Sequence, residues 1–278
     1  MKAIERISSW PVPRSAGAVV RPAAPPDTAG EVDTAFALAS VTKLLTAYAV
    51  LVAIEEEVVA LREPAGPPGS TVGHLLCHAS GLGPDPAHGV IAPPGTRRIY
   101  SNAGYEAVAA HLADAAGMPF ETYLVEAVIE PLQMKSTRLR GSPAYGITST
   151  VTDLVRFAGE LLAPSLISRG TLAIATRDAF PRLVGVLPGF GRQSPNPWGL
   201  GFELRGHKSP HWTGARNSVR TFGHFGRSGT FLWVDPVVSV ACVVLTDQAF
   251  GPWAERAWPA LSDAVLMETA AGPEEASR

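Results

Sequence analysis

The chain has 278 residues, 46% of them hydrophobic and 17% charged, and its 23 Lys and Arg stand against 25 Asp and Glu for a net charge of -2. That balance excludes a basic nucleic-acid binder, which needs clustered positive charge, and a disordered chain, which needs low hydrophobicity and high net charge. Only four of the basic residues are lysines, Lys2, Lys43, Lys135 and Lys208, so a lysine in a suggestive setting carries weight.

In chain order, Met1 to Trp10 carries charges with no continuous apolar segment behind them, so no secretory signal is expected and the chain reads as cytoplasmic. Ala16 to Arg21 reads as a strand, Pro22 to Gly30 as a turn-rich stretch, and a second strand should end near Leu38. Val41 to Val59 has aliphatic residues at helical spacing without Gly or Pro, with Ser40 in front as an N-cap. Its longest apolar run, Ala47 to Ile54, is far below the ~18 residues of a membrane span. Short helices are expected at Val72 to Cys77, Ala103 to Ala116, Phe120 to Ile129 and Val151 to Leu162. Strands return at Leu200 to Leu204, Val219 to His224, Thr230 to Val234 and Val237 to Leu245, the last two joined at Asp235-Pro236 like a hairpin. A final helix, Trp253 to Ala270, should be interrupted by Pro259, and the tail from Gly272 to Arg278 should be disordered. Strands at both ends with helices between them predict an α/β (α+β) arrangement in one unit, residues 1–278. A sheet lobe would come from about 1–60 and 195–270, and a helical lobe from about 61–194. Two cysteines, Cys77 and Cys242, are too few for a disulfide framework and read as buried thiols.

Three short motifs could carry chemistry. In Ser40-Val41-Thr42-Lys43, residues three apart on a helix share a face, so hydroxyl and amine come together at a helix N-terminus. A partly buried lysine of lowered pKa can take the serine proton, and the backbone amides there favour an oxyanion. The plain alternative is an N-cap serine and a solvated lysine. Tyr100-Ser101-Asn102 offers a phenol for proton transfer and an amide that can bind both a lysine and a substrate, or else an aromatic anchor and a helix cap. His224-Phe225-Gly226, followed by Arg227, offers a strand end that a substrate could approach, or an ordinary turn.

Taken in this order, the three motifs resemble the set that marks the serine β-lactamase and penicillin-binding protein superfamily, closest to its class C and esterase branch. The resemblance runs from Thr34 onward through ALASVTKLLTA, TVGHLLCHASGL, PPGTRRIYSNAGYE, EPLQMKST, GITSTVTDLVRFA and FGHFGRSGTFLWVDP. It implies an antiparallel sheet flanked by helices with an inserted helical lobe, and a serine hydrolase acting through an acyl-enzyme. It also implies roles: Ser40 as nucleophile, Lys43 as its activator, Tyr100 as base or proton shuttle, and Asn102 orienting substrate and lysine. His224 and Gly226 would fill the third motif, and the amides of Ser40 and Arg227 would form the oxyanion hole. The substrate would be a small ester, amide or peptide-like molecule, with no cofactor, no nucleic acid and no membrane span.

Two departures matter. Relatives usually place Lys-Thr-Gly at the third motif, where this chain has His-Phe-Gly. An unperturbed histidine is mostly neutral at neutral pH, so carboxylate-bearing β-lactams should be recognised weakly and neutral esters or amides better. The 39 residues ahead of Ser40 and the brief Leu61 to Ser70 predict a short member of the family, trimmed at its periphery. The competing class is a binding or regulatory domain that keeps the cleft without the chemistry. Two other constellations are weaker. His74 and His78 share helical spacing as a possible metal pair, but no acidic residue joins them nearby, so no metal is expected. His207 and His211 share that spacing too, with Pro210 between them. Gly226-Arg227-Ser228-Gly229-Thr230 is a near miss to the Gly-x-Ser-x-Gly nucleophile elbow.

Overall fold

The computed structural model describes residues 2–275. Its helices are α1 (Thr42–Glu55), α2 (Val72–Leu76), α3 (Asn102–Ala116), α4 (Phe120–Leu124), α5 (Val151–Leu162), α6 (Arg169–Ala175) and α7 (Pro252–Glu275), with a 3-10 helix at Ala3–Ser9. Its strands are β1 (Ser15–Val20), β2 (Asp27–Gly30), β3 (Phe36–Ala37), β4 (Arg138–Leu139), β5 (Ile147–Ser149), β6 (Gly185–Leu187), β7 (Gly191–Gln193), β8 (Glu203–Leu204), β9 (Phe222–Gly226), β10 (Thr230–Asp235) and β11 (Val240–Thr246). The main sheet is antiparallel with the order β2-β1-β11-β10-β9-β8. It is drawn from residues 15–30 and 203–246, so the mainly helical segment between them is an insertion into the sheet's own sequence.

Both faces of this sheet are covered, and the period-two alternation of the strands says by what. Ala16, Ala18, Val20, Leu232, Val234, Ala241, Val243 and Leu245 share one core with Leu154 and Phe157 of α5 and Leu45 of α1. Val19, Phe231, Trp233, Val240, Cys242 and Val244 face the other way, onto Ile4 and Ile7 of the 3-10 helix and Trp258 and Val265 of α7. The result is a three-layer arrangement of helix, sheet and helix. Helix α1 is buried all round, from Thr42 to Ala53. A helix that is apolar on every side belongs in a core, and that position carries Lys43 inward with it.

The differences from expectation have local causes. Asp27 to Gly30 is a strand rather than turn because it pairs with β1, Gly30 opposite Ala16 at a φ of 75°. Strand β11 starts at Val240, and Val237 and Val238 lie exposed in the turn before it. The expected helix at Phe120 to Ile129 changes after Leu124 into a π-helical turn, Val125–Ile129. Pro259 does not interrupt the last helix, which runs unbroken through it, held to the sheet by Ala254, Trp258, Leu261 and Val265. That helix also takes in residues 272–275 of the tail expected to be disordered, and residues 276–278 lie outside the described residues. Cys77 and Cys242 are buried and free. Among the described residues no helix is long and apolar enough to cross a membrane.

Candidate active site

Ser40 sits in a 3-10 turn, Ala39–Val41, between β3 and α1. It does not cap α1 as its position in the sequence suggests. Val41 holds the N-cap position with no side-chain hydrogen bond, which leaves the Ser40 hydroxyl available. The residue before it, Ala39, has a φ of 45°, in the left-handed region that costs a residue with a Cβ about 1 kcal/mol or more.

Lys43, one turn on, is fully buried. Its Nζ lies 3.5 Å from Ser40 Oγ, donates to Asn102 Oδ1 at 2.8 Å and to the Ala144 carbonyl at 2.9 Å, and stands over the Tyr100 ring at 4.8 Å. Burial disfavours the ammonium and brings its pKa down to about 7, against the opposing pull of the Glu106 and Asp85 carboxylates. A large fraction of Lys43 is therefore unprotonated at neutral pH, able to accept a proton from Ser40.

Tyr100 and Asn102 reach the same point from the start of α3. Ser101, between them, is the helix cap, its Oγ accepting from Gly104 N at 3.0 Å. The Asn102 amide is thus free to accept from Lys43 and to donate to Asp85 Oδ1 at 3.0 Å. Burial pushes the Tyr100 phenol up from its ordinary value, and its hydrogen bond with Ser40 acts the other way. The phenol therefore keeps its proton at neutral pH and is not a standing phenolate.

His224 lies on β9 against Tyr100, ring centroids 5.8 Å apart. Its Nδ1 is 2.6 Å from the Phe225 carbonyl, which fixes the proton on that nitrogen. Its Nε2 is buried and without a hydrogen-bond partner among the described residues. Burial and the Lys43 charge press its pKa down to about 3, with the Phe225 carbonyl pulling upward. His224 is therefore a neutral ring at physiological pH. Gly226 is closely packed: a Cβ there would stand 2.3 Å from the Leu38 carbonyl and 2.4 Å from Thr230 Oγ1. The strand end presses on the backbone that leads into Ser40. Thr230 Oγ1 donates to Leu38 O at 2.8 Å and Ser228 Oγ to Ala37 O at 2.6 Å, so the serine of the near-miss elbow is a brace.

Ser40, Tyr100, Asn102, His224 and Arg227 line one cavity of about 580 Å³, with Lys43 beneath its floor and Gly226 behind its wall. Much of the remaining lining is apolar, including Leu187, Pro188, Phe225 and Phe250. Sequence reasoning missed His78. Its carbonyl accepts from Ile99 N at 2.8 Å, its Nδ1 accepts from Ser101 N at 3.1 Å, and its ring packs on Tyr100 at 4.7 Å. It brackets Tyr100 on both sides from 22 residues away in sequence. The helical face that His74 and His78 would share does not form. Helix α2 ends at Leu76, His78 has a φ of 61°, and His74 bonds Thr71 Oγ1 at 2.8 Å and stacks on Phe180. Lys208, His211 and Trp212 converge instead on buried Glu203, beside the cavity.

A family model described as Beta-lactamase matches residues 14–266. Among solved structures, a beta-lactamase from Mycobacterium bovis is 56% identical, with a TM-score of 0.95 over 96% of this chain and 99% of that one. A mutant simvastatin synthase from Aspergillus terreus superposes with a TM-score of 0.81 over 97% and 94% of the two chains at 17% identity, a likeness of fold. Among curated proteins, the D-alanyl-D-alanine-carboxypeptidase/endopeptidase AmpH of Escherichia coli is 24% identical over 57% of this chain, and the match spans 59% of its length.

Proposed function

Because the chain belongs to the Beta-lactamase family, we propose that it is a serine hydrolase that works through an acyl-enzyme on Ser40 and favours ester or amide substrates without a carboxylate beside the scissile bond. The observation that carries this reading is a fully buried lysine with its pKa brought to about 7, its amine 3.5 Å from a hydroxyl that caps no helix. Neutral Lys43 takes the Ser40 proton as Oγ adds to the acyl carbon, and the amides of Ser40 and Arg227 hold the oxyanion. Tyr100 gives a proton to the departing oxygen or nitrogen as its bond to the acyl carbon breaks, and Lys43 restores that proton. Water then repeats the sequence: its hydroxyl joins the acyl carbon, and its proton passes by way of Tyr100 and Lys43 to Ser40 as the ester opens. Asn102 keeps the Lys43 amine in register.

The preference among substrates follows from the third motif. A neutral His224 supplies no positive charge to a carboxylate, and the apolar walls at Leu187, Phe225 and Phe250 suit an uncharged acyl group. Treating the native protein with a fluorophosphonate and measuring intact mass tests the reading. One adduct is expected, absent in Ser40→Ala, together with a loss of ester turnover of roughly a thousandfold or more. No adduct with a fluorophosphonate, an activated ester or a β-lactam would identify a binding domain instead.

A further inference from the structure

The hairpin β6–β7 walls two cavities. Its turn, Leu187 to Gly189, faces the Ser40 cavity, while Val186 and Arg192, paired across the hairpin, line a second, open cavity of about 710 Å³. The two adjoin at Tyr100 and Pro188, which line both. The hairpin is docked firmly. Arg98 N donates to Val184 O at 2.9 Å, and the buried Arg98 guanidinium bonds the carbonyls of Cys77, Asn196 and Ala179 and the Asp178 carboxylate. Arg98 is therefore fully engaged by the protein itself.

Two other guanidiniums differ. Arg97 is exposed, its one recorded bond running to the Ile91 carbonyl at 3.0 Å, and Arg192 is exposed on β7. No acidic residue is among the described residues lining this cavity. Two of its aliphatic residues are left in water, Ile91 at 45% and Val186 at 58%. An apolar floor with two unopposed guanidiniums at its edge matches an amphipathic anion.

Its position says which part of a substrate would lie there. On the proposed mechanism, on which this step rests, Tyr100 hands its proton to the leaving group, so the leaving group passes over Tyr100 into the adjoining cavity. We propose that this groove binds a leaving group with an apolar body and a carboxylate several bonds from the scissile ester, held by Arg97 and Arg192. The cation missing from the third motif would thus have a counterpart elsewhere, at a place suited to a distant charge and unsuited to one next to the reacting carbonyl.

A matched pair of acetyl esters tests this, one of hydroxyphenylvalerate and one of its neutral amide, which share the reacting bond and differ only in the remote charge. At low ionic strength the wild type should prefer the carboxylate by about tenfold in kcat/KM. Arg97→Gln/Arg192→Gln should bring the ratio to about one, and Arg97→Glu/Arg192→Glu should bring it below one. Because the readout is a ratio, a loss of folded protein cancels. A wild-type ratio near one, or a preference that survives the double variant, overturns the proposal. If neither ester is turned over, the hydrolase reading fails on its own. Calorimetry with free hydroxyphenylvalerate then still decides the groove: binding lost in the double variant supports it, and no binding to the wild type overturns it.

Discussion

A lysine that titrates near neutrality gives the site a pH signature. Lys43 must be unprotonated to take the Ser40 proton, so kcat/KM for a neutral ester should rise with pH through about 7 and then level off. His224, titrating near 3, should add no limb between pH 5 and 7. Glu106 is the larger of the two carboxylate influences that hold the Lys43 value up, so Glu106→Gln should move the limb to lower pH. A pH–rate profile of wild type and variant checks both statements, and a limb that stays put in Glu106→Gln would show that the limb belongs to another group. At this scale the sequence was informative where the chemistry is local. Ser40 and Lys43 stand three apart, a spacing that brings two side chains to one side of a helical turn, whereas Tyr100 and Asn102 flank the Ser101 cap of α3 and meet only at Lys43. The junction between the pairs, Lys43 Nζ to Asn102 Oδ1 across 59 residues, came from family likeness rather than from spacing. His78 came from neither, because its hold on Tyr100 depends on a left-handed turn after α2 that nothing in TVGHLLCHASGL announces.

Among the elements, the turn between β9 and β10 bears most directly on Ser40, the proposed nucleophile. Gly226→Ala would drive a Cβ into the Leu38 carbonyl and Thr230, moving either the strand or the Ser40 turn. We expect a loss of about 2 kcal/mol in stability and a larger proportional loss in kcat, measured by urea unfolding and ester turnover. Full activity in Gly226→Ala would mean that the two segments are not tightly coupled. Helix α7 offers the opposite sign. A proline inside a helix lacks an amide and crowds the carbonyl four residues back, yet Pro259 is retained in an unbroken helix. Pro259→Ala should stabilise the protein by about 1 kcal/mol or more, read as a higher melting temperature. The apolar side chains that overrule Pro259, such as Trp258 and Val265, are visible in the sequence, but the surface they bury against is made by strands far away in the chain. The same reason hid β2 and the hairpin β6–β7. Short strands of two to four residues have no pattern of their own and exist through their partners.

For the whole molecule, three buried groups shift in a common direction. Stability increases with pH wherever the unfolded chain binds more protons than the folded one. His224 titrates near 3 when folded against 6.5 in its ordinary state, Glu203 near 2 against 4.5, and Lys43 near 7 against 10.5. In each window the folded state has already released a proton that the unfolded state keeps, so stability falls as pH falls through it. Each group should contribute a slope of about 1.4 kcal/mol per pH unit within its window. Urea unfolding between pH 7 and 4 should therefore show a steady decline, and His224→Gln should lower the slope at pH 5 by about that amount. The α/β (α+β) class is legible from strands near both ends of the sequence, and the antiparallel sheet flanked by helices from the family likeness. Its strand order is not, since no local pattern says that Ser15 will lie opposite Thr246. That pairing also sets a timetable. During synthesis β1 can pair with β2 at once but must wait for its other neighbour, β11, until more than two hundred further residues have been made, and β11 is what joins it to the β9–β10 turn that braces Ser40. The proposed nucleophile should thus acquire its geometry among the last events of folding, and a nascent chain would carry the hydroxyl and the lysine long before the two are set in place.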